Sequence, residues 1–234
     1  MTGALEQGAA LFARTAVHQE WIATNLANIQ TPGYKRRVAT FTLPPETPSR
    51  RGPRGAEPDG GIDLRQGDLR QTEAPFDLAL DGAGFYAIQT PAGVRYTRNG
   101  VFGLRTDGTL GDRLGRTVLG TAGPIRLDGS GGPVTIDETG EVFQDGSSHG
   151  KLRVVDFANA SRLVPEDGSL LQSRPGMVER AAPTTRVRQG YREGANVDEV
   201  SELVEMMIAL RALEASQKVT QVSNESTSRL VNEK

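Results

Sequence analysis

Val197, Val200, Val204, Ile208, Ala212, Ala215, Val219 and Val222 follow one another at steps of three or four without a polar interruption. That spacing is the period of one α-helical face, and it commits the end of this 234-residue chain to a helix from 197 to about 225. At about 1.5 Å per residue such a helix is on the order of 40 Å long. Leu203, Met206, Met207, Leu210 and Leu213 add a second apolar flank, so the helix has more grease than one neighbour can cover. Asn196 is placed as its N-cap, with Glu199 three residues on completing a capping box and Asp198 favoured by the helix dipole.

The other end repeats the pattern more weakly. Leu5, Ala9, Phe12, Ala16, Ala23 and Leu26 mark one face of a helix over 4–28, broken only at Gln19, and Trp21 with Ile22 widens it. The alanines allow a partner helix to approach closely. Two terminal helices that cannot bury their faces alone are expected to pack together as a coiled-coil-like stalk, ordered by partners and loosely held without them. The first helix ends in the stretch NLANIQTPGYK. Thr31-Pro32-Gly33-Tyr34 suits a type II turn, Pro32 presetting φ and Gly33 supplying a positive φ. Asn28 tolerates the left-handed conformation of a helix end. Its side chain and that of Asn25, one turn earlier, have two readings, capping of exposed carbonyls or bonding to a neighbouring chain.

Between the helices the texture changes to an all-β region. Residues 36–75, with Arg50, Arg51 and Arg54 among prolines and glycines, read as an extended linker. Residues 76–195 read as a hairpin-rich β domain, because Asp81-Gly82, Asn99-Gly100, Asp107-Gly108, Asp128-Gly129 and Asp145-Gly146 punctuate short alternating runs. Asn99-Gly100 is the expected type I′ hairpin, joining VRYT to VFGL. The resulting plan has four parts, a helix with its turn over 1–35, the linker, the β domain, and a helix over 196–234. The fold class is therefore a mainly β domain carried between long terminal helices.

Little in the chain points to chemistry. With 27 basic and 29 acidic residues the net charge is −2, which argues against a nucleic-acid binder. Cysteine is absent, removing disulfides, thiolate metal sites and thiol nucleophiles. The N-terminus lacks the basic region and apolar core of a Sec-type signal, and no run of about 18 apolar residues suggests a membrane span. His18 and His149 have no base or ligand partner at local spacing, and DGAGF lacks the Lys-Ser/Thr pair and the following helix of a phosphate loop. No cofactor, metal or catalytic residue is expected.

Three separated stretches carry a resemblance. NLANIQTPGYK, the β segment from DGAGFYAIQ through VRYTRNGVFGL to RTVLG, and GANVDEVSELVEMMIALRALEASQK resemble the bacterial flagellar rod and hook proteins in the same order, over nearly the whole chain. Gly82, Gly84, Phe85, Tyr96 to Gly100, Gly108 and Gly120 sit where that family has them. Ala195, Leu213 and Ser216 depart from it, standing for a usual serine, aromatic and asparagine. The resemblance implies a structural subunit that stacks helically in the axial rod of the basal body, terminal helices inside and β domains outside. It also implies export by the flagellar type III apparatus without a cleaved signal, and partners that are copies of itself and other rod proteins. The short β domain looks more like a rod than a hook protein, and the segment after Tyr34 favours the proximal rod. Assembly is then expected to rest on Leu5, Phe12, Asn25, Leu26, Asn28, Pro32, Gly33 and Tyr34 at one end. At the other it rests on Asn196, Val200, Leu203, Val204, Met207, Leu210, Arg211 and Val219. The rivals are a distal rod or hook-type subunit, an extracellular β-domain wall-polysaccharide hydrolase and an adhesin.

Overall fold

The computed structural model describes residues 2–40 and 59–232. Residues 41–58, the arginine-bearing middle of the expected linker, and the side chains of Leu5, Phe12 and Val219 lie outside the described part. The chain divides into two compact units, one of Met1–Ala27, Arg37–Gly60 and Asp198–Lys234, the other of Asn28–Arg36 and Gly61–Val197.

In the first unit, α1 spans Thr2–Ala27 and α2 spans Glu199–Asn232. Asp198 caps α2. Its carboxylate accepts the backbone N–H of Ser201 at 2.9 Å and the Ser201 hydroxyl, and its carbonyl accepts the N–H of Glu202. The cap therefore lies two residues beyond the expected Asn196, whose side chain is engaged elsewhere. Glu199 and Glu202 in the first turn suit the positive end of the helix dipole.

The expected coiled-coil-like stalk is corrected. Among the described residues the molecule is mainly β, with nineteen short strands against two α-helices. The faces read as packed seams do not pack: Val200, Val204 and Ile208 are 70%, 45% and 62% exposed, and Ala16 and Ala23 on α1 are exposed as well. Among the described side chains, α2 buries Glu202 and Ala209, and α1 buries Ile22 and Asn25. The amide of Asn25 donates to the Glu202 carboxylate at 3.3 Å, and His18 Nε2 lies 3.5 Å from Glu205. Polar and small side chains meet there, so no apolar knobs-into-holes seam forms. Periodicity identified a face, but it could not say which face α1 would cover.

The second unit is built on the strand Phe85–Thr90, whose FYAI run is buried on both faces. Phe85 and Ala87 point into one core with Tyr96, Val155, Phe157 and Leu163. Tyr86 and Ile88 point into another with Leu78, Leu80, Phe102, Leu110 and Val118. This is the period of two expected of a strand with both faces covered. The strand is central in a ten-stranded antiparallel sheet. In order, that sheet runs Val164–Pro165, Leu170–Gln172, Gly93–Thr97, Phe85–Thr90, Thr117–Gly120, Leu110–Asp112 and Phe102–Leu104. Val154–Phe157 joins the end of Phe85–Thr90 and carries Glu179–Ala181 at its other side. A three-stranded sheet spans 134–151, and two-stranded pairs join Leu78–Asp81 to Arg186–Gln189 and Leu69–Gln71 to Tyr191–Glu193.

Asn99-Gly100 is not a hairpin. Gly93–Thr97 pairs with Phe85–Thr90 and with Leu170–Gln172, whereas Phe102–Leu104 pairs with Leu110–Asp112. The two-residue loop with both positive φ values is Asp145-Gly146, at 52° and 77°, joining Glu141–Gln144 to Ser147–Lys151. Gly100 is needed for another reason: a Cβ there would stand 1.6 Å from the Leu78 carbonyl oxygen, and its own carbonyl accepts the Leu78 N–H.

Candidate functional site

Within the second unit the TPGYK turn meets the TRNG segment and the strand that leads toward the C-terminal end. Gly33 has φ 66°, Tyr34 N–H bonds the Thr31 carbonyl at 3.2 Å, and the turn has the type the sequence suggests. Asn28 does not enter the left-handed region. Instead its side-chain oxygen accepts the Thr31 hydroxyl at 3.1 Å, and its carbonyl accepts the Thr31 N–H. Gly33 is pressed against the backbone of Arg98 and Asn99, where a Cβ would fall 2.3 and 2.2 Å from their atoms. The Gly33 N–H donates to the Glu193 carbonyl at 2.8 Å. Pro32 is half-buried and Tyr34 is buried.

This contact is centred on a carboxylate. Glu193, 1% exposed, accepts the Lys35 ammonium at 2.7 Å and the Gly67 N–H at 3.0 Å on one oxygen. Its other oxygen lies 3.0 Å from Arg98 Nε, an ion pair without hydrogen-bond alignment. Lys35 also donates to the Arg65 carbonyl, and Arg98 spends its terminal nitrogens on the carbonyls of Gly82 and Gly84. Burial holds the Lys35 ammonium below the ordinary lysine range, against the opposing pull of Glu193 and with Arg98 adding to the lowering. Asn196 completes the lock: its oxygen accepts the Arg36 N–H at 2.7 Å, and its amide donates to the carbonyls of Asp63 and Arg65 at 2.9 Å each.

The Lys35–Glu193–Arg98 cluster is invisible to sequence reasoning, since Lys35 and Glu193 stand 158 positions apart. The one signal is chemical: Lys35 and Arg98 sit inside the stretches that carry the family resemblance, and Glu193 immediately precedes the third. A buried ion cluster with every member committed has no open position for a reactant. It fixes geometry.

The remaining predicted residues belong to the first unit. Asn25 is 1% exposed and pairs with Arg37 as a strand would, accepting its N–H at 2.8 Å and donating to its carbonyl at 3.0 Å. It therefore bonds the chain beyond the turn. Leu26 is half-buried. Val200, Leu203, Val204, Met207 and Leu210 are exposed by 41 to 70%, and Arg211 is exposed beside them. Ile208, at 62%, extends that apolar surface.

A second polar network ties the strands of the ten-stranded sheet. The Tyr96 hydroxyl donates to Glu179, whose other oxygen is held by Arg153. Burial and the bond to Glu179 push the Tyr96 hydroxyl up to about 12. Burial works against ionisation of Glu179, yet the bonds from Tyr96 and Arg153 hold its carboxyl below the usual range. Among the described residues no group of His, Asp and Glu is placed to hold a metal ion, and no helix is long and apolar enough to cross a membrane.

Comparison with known proteins agrees with this layout. The family described as "Flagellar hook protein FlgE/F/G D1 domain" matches residues 79–144, and "Flagellar basal body rod FlgEFG protein C-terminal" matches residues 188–233. The chain is 32% identical over 243 residues to the flagellar basal-body rod protein FlgG of Agrobacterium fabrum, covering 89% of this chain and 90% of that one. It is 32% identical over 224 residues to the flagellar basal-body rod protein FlgF of Escherichia coli, covering 88% of each. Against the FlgF protein of Caulobacter vibrioides the identity is 29% over 206 residues, with 85% and 84% covered.

Proposed function

The chain belongs to the flagellar basal-body rod protein family, and from that premise we propose that it is a structural subunit of the rod whose copies and relatives stack through the outward face of α2. The observation that carries this reading is the exposure of Val200, Leu203, Val204, Met207, Ile208 and Leu210 on one helix. A contiguous apolar surface on a soluble chain marks an interaction site. A contact between different surfaces of identical subunits does not close on itself and so propagates into a tube or filament.

In this reading the role is mechanical and not enzymatic, and torque passes through packed area. The locked junction around Glu193 gives the β unit of every copy the same geometry. The rod crosses the periplasmic space, and the subunit reaches it through the flagellar type III export apparatus. The segment after Tyr34 supports a proximal position in the rod. Other rod proteins, as well as copies of this chain, are the partners.

Val204→Asp tests the interface. Val204 is 45% exposed, so the charge is tolerated in the lone chain but becomes an unpaired buried charge once a neighbour covers it. Sedimentation and electron microscopy are expected to show loss of polymers while the near-ultraviolet spectrum of the β unit is unchanged. Polymers of normal yield from this variant would remove α2 from the interface.

A further inference from the structure

Tyr86 is fully buried, and its ring is fixed on two sides. It meets Phe102 edge-on, with 5.1 Å between ring centroids, and its Cε2 lies 3.2 Å from where a Cβ would stand on Gly100. Cε2 adjoins the carbon that bears the hydroxyl, so the polar end of the side chain lies at the TRNG segment. Two residues before Gly100 in that segment, Arg98 holds its Nε 3.0 Å from Glu193 Oε2. Among the described residues neither the Tyr86 hydroxyl nor Glu193 Oε2 has a hydrogen-bond partner. Burial pushes the Tyr86 hydroxyl up, Arg98 draws it down and Glu193 raises it, so the hydroxyl lies within the field of both charges.

A buried polar atom left without a bond carries the full penalty of its lost hydration. Internal waters sit where a few such atoms face one space, and make about three bonds there. The chemistry of the two ends selects the ligand. An ionised carboxylate oxygen only accepts, so the ligand must donate to Glu193, whereas the phenol hydroxyl donates or accepts. Lys35 and Arg98 repel a cation from this place, and Glu193 repels an anion. A small neutral molecule that both donates and accepts meets these demands.

We propose that a single water is bound inside the junction, donating to Glu193 Oε2 and bridging it to the Tyr86 hydroxyl. The inference goes beyond the rod-subunit reading and does not depend on it. The bridge ties the core of Leu78, Leu80 and Ile88, in which Tyr86 sits, to the ion cluster that fixes the TPGYK turn. Tyr86, Lys35, Arg98 and Glu193 are at most 5% exposed, so this water exchanges only when the unit opens locally, and no substrate reaches it.

Tyr86→Phe, which removes one oxygen and keeps the ring, tests the proposal in the dilute full chain. An unbonded hydroxyl is a burden, and its loss would leave the folding equilibrium constant unchanged or raise it. With the water in place that constant, measured by urea unfolding, is expected to fall about tenfold. Oxygen-17 relaxation dispersion is expected to count one long-lived water fewer than in the unsubstituted chain. Tyr96→Phe serves as the control, since it removes a hydroxyl bonded directly to Glu179 and should lower stability without changing the water count. A Tyr86→Phe chain as stable as the original overturns the proposal. So does a destabilised one with an unchanged water count, which would mean that the hydroxyl bonds Glu193 directly.

Discussion

The Glu193 junction and the outward face of α2 distribute charge and grease in opposite ways. Lys35, Arg98 and Glu193 carry full charges and are 5%, 3% and 1% exposed, each with its partners inside the chain. Val200 and Ile208 carry none and are 70% and 62% exposed, with nothing laid over them. Desolvating three charges is worthwhile only where the geometry is held rigidly, and exposing large aliphatic side chains only where something else covers them. The contrast separates what this polypeptide completes alone from what it leaves to neighbours.

The sharpest way to break that comparison is at its buried pole. Glu193→Ala leaves Lys35 and Arg98 buried without their counter-ion, and is expected to cost about 3 to 5 kcal/mol in urea unfolding. A loss below about 1 kcal/mol would mean that water reaches the cluster in solution. Gly33→Ala comes next, at about 3 kcal/mol, because it adds a Cβ where φ is 66° and the Arg98–Asn99 backbone lies within 2.3 Å. Retention of native stability would show that the turn can shift away from TRNG.

A smaller effect is expected in alkali. The Tyr96 hydroxyl titrates near 12 when folded and near 10 when unfolded, so its contribution is present below pH 10 and is lost as pH rises through 12. That contribution is on the order of 2 kcal/mol, and Tyr96→Phe should flatten this limb of the stability profile. Lys35, whose folded value is lowered, pulls the other way, so the difference between the two proteins is the quantity to measure. An unchanged alkaline limb in Tyr96→Phe would remove the Tyr96–Glu179 bond as its cause.

The smallest effect belongs to the exposed pole. In dilute monomer Val204→Asp is expected to change stability by no more than about 0.5 kcal/mol. Amide exchange should find α2 beyond Val200 weakly protected and Gly33 to Lys35 strongly so. A monomer destabilised as much by Val204→Asp as by Glu193→Ala would erase the distinction between the two regions.

Which of these features the sequence discloses follows from their range. The two helices are readable because a period of three to four is a local property, and the β texture because glycine pairs punctuate it. The buried face of α2 is not readable: an apolar stripe predicts that something covers it, and the chain gives no sign that Glu202 and Ala209 are buried instead, Glu202 against Asn25 of α1. Asn99-Gly100 misleads for a related reason. The same dipeptide serves a tight turn or a close approach, and here the deciding neighbour, the Leu78 carbonyl, lies far back in the chain. Asn196 looks like a cap and is a staple, since its three backbone partners come from Arg36, Asp63 and Arg65. The ion cluster escapes altogether, because no local rule links Lys35, Arg98 and Glu193.

Within the second unit, the segment at its start and the segment near its end are stitched side by side, Gly33 to Glu193 and Arg36 to Asn196. Asn196 also bonds Asp63 and Arg65, so the β run from Gly61 to Glu193 is a cassette with adjacent terminals. Loops such as Asp145-Gly146 or Asp167-Gly168 could be lengthened, or the whole insert exchanged for a foreign one with similarly spaced ends. Such a graft would leave the spacing at the attachment point untouched, so the β unit is open to engineering wherever that spacing must stay constant.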